Sequence, residues 1–185
     1  MINQMINRNF GFASLLAIVV GLFAIACGTA AEAGSPFVVE LVGTATGEVR
    51  TINGSEQTCF DVDMIDPSTG ASIGSATDCL DFATVTPIGD TDGFTIVNTT
   101  LFNFADGTIV SRSDTTIQPA SDPLPTSGPT HITGEFKTGN NILTEMGTGD
   151  FAGKTGSTRL SGMVDMSRME DGIVTFACIF VITVN

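Results

Sequence analysis

The chain has 185 residues, among them 21 Gly, 13 Phe, seven Pro, four Cys and one His, with no Trp or Tyr. Seven Lys and Arg face 20 Asp and Glu, so a chain that is only 15% charged still carries a net charge of −13. That balance, without any basic cluster, excludes nucleic acid as a partner; a 42% hydrophobic content argues against disorder; and one His with few Cys leaves little material for a zinc site or a Ser/Cys–His hydrolase, so no metal and no cofactor are expected.

Residues Asn9 to Ala31 form a 23-residue stretch with no charged side chain, preceded by Arg8. The apolar run from Phe12 to Ala26 has the character of a signal-peptide hydrophobic region. Two processing patterns close it. Ala24-Ile25-Ala26-Cys27 sets a small residue before Cys, as lipoprotein processing requires, and would leave Cys27 acylated. Ala31-Glu32-Ala33 is an A-x-A cleavage pattern that would release a soluble chain near Gly34. An uncleaved anchor is the third outcome, because a stretch of this length can span a bilayer. Each outcome puts the folded part outside the cytoplasm: secreted, periplasmic or held at the cell envelope. A membrane tether, where there is one, runs through Cys27 or the N-terminal segment. The chain thus divides into a signal, residues 1–33, and one domain, residues 34–185. Removing Arg8 and Glu32 leaves six basic and 19 acidic residues, so the acidity belongs to the domain.

No helical period of useful length follows residue 34. Runs of β-branched and aromatic residues recur instead, separated by Gly/Asp/Asn/Pro clusters at roughly ten-residue spacing. They cover 37–44, 48–52, 58–65, 71–85, 94–104, 108–117, 131–136, 142–146, 158–166 and 173–184. Strands this frequent, with short turns and no helix between them, specify an all-β antiparallel sandwich or closed barrel.

Two turns set registers. In Asp66-Pro67-Ser68-Thr69-Gly70-Ala71, Gly70 suits a left-handed position. Centring the hairpin on Thr69 sets Cys59 opposite Cys79, Val62 opposite Ala76 and Met64 opposite Gly74. Directly opposed cysteines lie near the separation a disulfide needs, and an exported chain meets an oxidising environment. The pair reads as a Cys59–Cys79 disulfide, with two free buried thiols as the alternative. A second hairpin turns at Asp106-Gly107. Before it, Phe94, Ile96, Asn98, Thr100, Phe102 and Phe104 share one face, which is apolar at both ends and polar in the middle. Asn98, Thr100 and Phe102 are therefore candidates for a ligand-facing wall; a core Asn satisfied by backbone is the alternative.

The segment from Gln118 to Pro129 carries four prolines and reads as a long loop. His131, Thr133 and Glu135 alternate along a strand, an acid/base pair if they face a lumen. The alternation fits better with Ile132 and Phe136 inside and the polar set in solvent. Asp90-Thr-Asp-Gly93 resembles half a calcium loop but reads as a turn. The last strand is apolar on both faces: Val174, Phe176, Cys178, Phe180 and Ile182 point one way, Ala177, Ile179 and Val181 the other. Such a strand should be covered outside as well as inside, by a second subunit or the N-terminal segment. Cys178 reads as a small buried hydrophobe.

In the stretch from Glu145 to Gly162, Gly147, Gly149, Gly153 and Gly156 fall within ten residues around Phe151. Glycines there supply positive φ and close backbone approach, and Phe151 plugs the end of a sheet. This segment resembles the G-[TS]-G-x-F-x-G-x-x-G signature shared by dirigent proteins and allene oxide cyclases. The strand order and the terminal apolar strand are also similar to bacterial exported members of that barrel superfamily. The resemblance implies a closed antiparallel eight-stranded barrel with a hydrophobic central cavity, often as a homo-oligomer. In the cyclases it implies an epoxide cyclised by confinement, without a cofactor, assisted by a Glu near the first strand; in the dirigent proteins it implies steering of phenol coupling. Glu40, on the first strand of the domain, takes that glutamate's place, although a Glu among valines on a pleated strand more commonly faces outward.

The reading that results is an exported β-barrel holding a small hydrophobic molecule, lipid-like or phenolic, in a lumen walled by Asn98, Thr100, Phe102, Phe176 and Phe180. One alternative is a cofactor-free isomerase or cyclase with Glu40 as electrostatic assistant. The other is a structural envelope protein with a filled barrel.

Overall fold

The structure is a computed structural model and describes residues 34–135 and 139–185. The signal segment, with Cys27, lies outside the described residues, as does Phe136. Nine strands form one antiparallel sheet: β1 (Phe37–Thr46), β2 (Glu48–Ile52), β3 (Ser55–Ile65), β4 (Ser72–Pro87), β5 (Phe94–Phe104), β6 (Gly107–Pro119), β7 (His131–Glu135), β8 (Gly156–Asp165) and β9 (Ile173–Val184). Their order is β1-β9-β8-β7-β6-β5-β4-β3-β2, and a further pairing of Glu40–Val42 with Ile65–Asp63 closes β1 onto β3. The result is a closed eight-stranded barrel, with β2 outside it on the remaining edge of β3. Closure removes the open edges of the barrel itself, while the outer edge of β2 stays unpaired among the described strands.

The register of the first hairpin is as the turn chemistry implies. Cys59 pairs with Cys79, Val62 with Ala76 and Met64 with Gly74, and the Cys59–Cys79 disulfide is formed. Gly70 closes the loop at φ 71°, its N–H donating to Asp66 O at 2.8 Å. The second hairpin turns one residue earlier than expected. Phe104 pairs with Gly107, so Ala105 and Asp106 form the two-residue turn and Gly107 opens β6. The segment 142–146 is not a strand: Ile142 makes one bridge to Ser111, and Thr144–Met146 is a turn of 3-10 helix.

The glycine-rich stretch folds over the β5–β6 turn. Asp150 N–H donates to Asp106 O at 2.9 Å and Thr148 N–H to Thr108 O at 3.1 Å. A side chain at Gly149 would overlap the Asp106 carbonyl oxygen, so only Gly permits this approach. The contact carries Phe151 onto Phe104, ring centroids 5.4 Å apart, and Phe104 meets Phe37 at 5.8 Å. These three rings stack across the hairpin end of the barrel.

Inside, the strands divide into two walls. Val39 and Leu41 of β1, Phe60, Val62 and Met64 of β3, and the inward residues of β9 from Val174 to Ile182 are apolar and buried. Each large apolar side chain buried this way contributes about 1.5–3 kcal/mol. The opposite wall, from β4 to β8, buries a run of polar side chains described below. Phe60 packs on Phe176 at 5.6 Å, and Phe102 meets Phe180 edge-on at 5.0 Å. Outside, the covering expected for β9 is absent from the described chain. Ile179 and Val181 are 41% and 37% exposed, beside Val38 of β1 at 41%.

Candidate functional site

The two walls meet around a cavity that begins above the Phe102–Phe180 pair and extends toward the barrel end where Met166 lies. Its free volume is about 30 Å³. Leu41, Leu160, Phe176 and Phe180 supply apolar lining, and Asp78, Asn98 and Thr115 supply polar lining. Pleating puts them there. Asp78 has the parity of Ala76 and Leu80 on β4, Asn98 that of Ile96 and Phe102 on β5, and Thr115 that of Ile109 and Ile117 on β6.

Asp78 is buried. Thr100 Oγ1 donates to its Oδ1 at 2.6 Å, and Asn98 Nδ2 reaches the same oxygen at 3.4 Å and Thr100 Oγ1 at 3.2 Å. Burial pushes the Asp78 carboxyl above the ordinary range, and the hydrogen bonds from Thr100 and Asn98 offset part of that rise. Two further polar atoms here lack a partner: Asn98 Oδ1 and Thr115 Oγ1, on residues 2% and 3% exposed. A buried polar atom left unpaired costs about 1–3 kcal/mol.

Nearer the glycine-rich end, a second polar group is saturated. The two hydrogens of Asn141 Nδ2 are shared among Ser113 Oγ at 2.6 Å, Glu135 Oε1 at 2.9 Å, Thr158 Oγ1 at 3.0 Å and Thr158 O at 3.1 Å. Its Oδ1 accepts from Thr158 N–H at 2.7 Å. The group ties β6, β7 and β8 together across the loop that follows β7.

The Glu135 position corrects the sequence reading of β7. Thr133 and Glu135 are buried and face inward, while Ile132 is 53% exposed. Hydrophobic alternation pointed the other way because this side of the barrel is built with a polar lining, which reverses the usual sense of the pattern. Thr133 lines the cavity; His131, half-buried at the start of the strand, bonds through Nδ1 to Thr130 Oγ1 at 2.9 Å.

Of the residues singled out from sequence, Asn98, Phe176 and Phe180 line the cavity. Thr100 sits beside it as the partner of Asp78, and Phe102 floors it through Phe180. Glu40 is not brought to the lumen. It lies between inward-facing Val39 and Leu41, so β1 turns it to the outer face, where it is half-buried and paired in register with Ile179. The pleat makes that correction unavoidable, since its two neighbours are core residues. Asp78 and Thr115 escaped the sequence reading. The signal was present for Asp78, because the register that opposes Val62 to Ala76 also puts Asp78 on the inward face. Asp90 to Gly93 forms a turn, with Ile88 N–H donating to Gly93 O at 2.9 Å.

A third polar group covers the disulfide from outside. Arg112 Nη1 donates to Thr99 Oγ1 at 3.2 Å, its Nη2 stands 3.7 Å from Asp81 Oδ2, and Ser55 Oγ donates to the same oxygen at 2.9 Å. With its amide turned to satisfy its neighbours, Gln57 donates to Cys79 O and accepts from Arg112 Nη1. Cys59 and Cys79 are 0% exposed beneath this layer.

No protein-family model matches the chain, and no curated protein matches it significantly.

Proposed function

We propose that the protein is an exported β-barrel that takes one small, largely apolar molecule into its lumen and fixes the molecule's polar end at Asp78, Asn98 and Thr115. The observation that carries this reading is the pair of unpartnered, buried atoms Asn98 Oδ1 and Thr115 Oγ1 in a cavity that is otherwise mostly apolar. An apolar cavity with a few convergent polar groups and a carboxyl of shifted pKa is the common form of a small-molecule site. Export is supported by the signal-like segment and by the disulfide, which persists in oxidising compartments. Admission of anything larger than water requires side chains to move, and Met166, half-buried where the cavity opens out, is a flexible one. The test is native extraction: the purified protein is denatured in organic solvent and the extract examined by mass spectrometry. A stoichiometric small molecule is expected; an empty extract, together with no thermal stabilisation by any of a panel of small apolar compounds, overturns the reading.

One observation favours a second reading, a structural barrel with a filled interior. A free volume of about 30 Å³ holds one or two waters, which would satisfy both orphaned atoms. The same extraction separates the two. A cyclase assisted by Glu40 is not proposed, because that side chain faces outward.

A further inference from the structure

Resting on the luminal-binding reading, we propose that the site selects an uncharged molecule bearing a hydroxyl group and rejects the matching carboxylate. The polar lining sets the terms. Asn98 Oδ1 is a carbonyl oxygen and can only accept, so its missing partner must be a donor. Thr115 Oγ1 can donate or accept, and so completes a hydroxyl that has already given its hydrogen to Asn98. Asp78 adds no free donor to this pair, because its Oδ1 is already taken by Thr100 and Asn98. Asn98 and Thr115 are diagonal neighbours on the inward face of β5 and β6, so one hydroxyl, donating to the first and accepting from the second, answers both orphaned atoms.

A carboxylate answers them badly. It brings no hydrogen for Asn98 Oδ1 and sets a negative charge beside the Asp78 carboxyl. No Lys, Arg or His is among the described residues that line the cavity, so the anion would lose its hydration without gaining a cation. A ketone or ether shares the first fault. An ammonium group could donate to Asn98, but would carry its charge out of water into a largely apolar enclosure. The rest of the molecule would lie against Leu41, Leu160, Phe176 and Phe180 once side chains move to make room for it.

The test uses three probes of one chain length on the purified protein at pH 7.5: hexan-1-ol, hexanoate and hexylammonium, titrated by calorimetry. Hexanol is expected to bind at least about tenfold more tightly than either ion, a discrimination appropriate to one unpaired buried group. Hexanoate binding as tightly as hexanol leaves luminal binding standing and overturns the proposed selectivity. Hexylammonium binding more tightly than hexanol makes Asp78 a counter-ion and overturns it as well. If none of the three binds or stabilises the protein, luminal binding itself falls and the selectivity with it. Thr115→Val places the binding: the shape is retained and the hydroxyl lost, so hexanol should weaken about three- to tenfold in a protein that unfolds no earlier. An unchanged hexanol affinity in that variant overturns the assignment. Asn98→Leu is the companion, with the same expectation where it folds.

Discussion

Asp78 and Thr100 stand opposite each other across β4 and β5, and the Thr100 hydroxyl donates to Asp78 Oδ1 at 2.6 Å inside the barrel. The bond is short and well placed, yet desolvation outweighs it, and the carboxyl is held above its ordinary value of 3.8. An acid whose pKa rises on folding binds its proton more tightly in the folded state. The stability it contributes is complete below 3.8 and is lost as pH rises through the folded value. Asp78→Asn keeps an acceptor for Thr100 and removes the ionisation. Its melting temperature should exceed that of the wild type at pH 8 by about 2–4 °C, and the gap should close as pH falls toward 3.8. A gap that does not change with pH would show that Asp78 is not the group responsible.

Removal of the disulfide in a Cys59→Ala, Cys79→Ala double variant should destabilise the domain by about 3 kcal/mol. The bridge closes a loop with a sequence separation of 20, for which chain entropy gives about that value. Chemical unfolding at equilibrium measures it. The cover formed by Arg112 and Gln57 also predicts that mild reductant leaves the native bridge intact, because both sulfurs are inaccessible.

Two glycines with positive φ should behave differently when replaced by Ala. At Gly54, φ 82°, nothing stands near an added methyl, and the cost is that of a left-handed residue, about 1 kcal/mol. At Gly149, φ 57°, the methyl meets the Asp106 carbonyl, and the loop must lift off the β5–β6 turn. That substitution should cost more than about 2 kcal/mol and loosen Phe151 from Phe104. Equal midpoints for the two variants in urea would mean that the close approach contributes nothing.

Cys178 should resist thiol reagents until the barrel unfolds. Burial first, then the nearby Asp78 carboxyl, pushes its thiol up to about 12. At pH 8 that leaves about one thiolate in ten thousand, on a side chain 3% exposed. Alkylation followed by peptide mapping should find the Cys178 peptide unmodified in the native protein and fully modified in denaturant. Rapid native labelling would show that the lumen opens far more often than its packing implies.

The barrel was legible where strands obey ordinary chemistry. Strong turn residues at Asp66 to Gly70 set a register that carried Cys59 to Cys79 without error, and alternation on β5 found the polar break at Asn98. Legibility failed where the protein reverses the rule on which alternation rests. On β7 the inward residues are Thr133 and Glu135 and the outward one is Ile132, so hydrophobicity alone pointed inside out. Glu40 failed differently: a resemblance named a role, but the core positions of Val39 and Leu41 decide which way its side chain turns. Asp78 lay in plain view on a strand already in register, and its importance emerges only from the absence of a cation among its described neighbours, which no single strand reveals.

The Phe37–Phe104–Phe151 stack gives the lumen a floor. On the luminal-binding proposal the interior is a blind well, and a molecule that reached the polar wall would leave by the route it took in. Residence time then belongs to the rim near Met166 and the loops after β4, β6 and β8, and changes there should alter arrival and departure together while the equilibrium at Asn98 stays where it was. A barrel without that floor would be a tube, and its two directions of travel could be tuned apart.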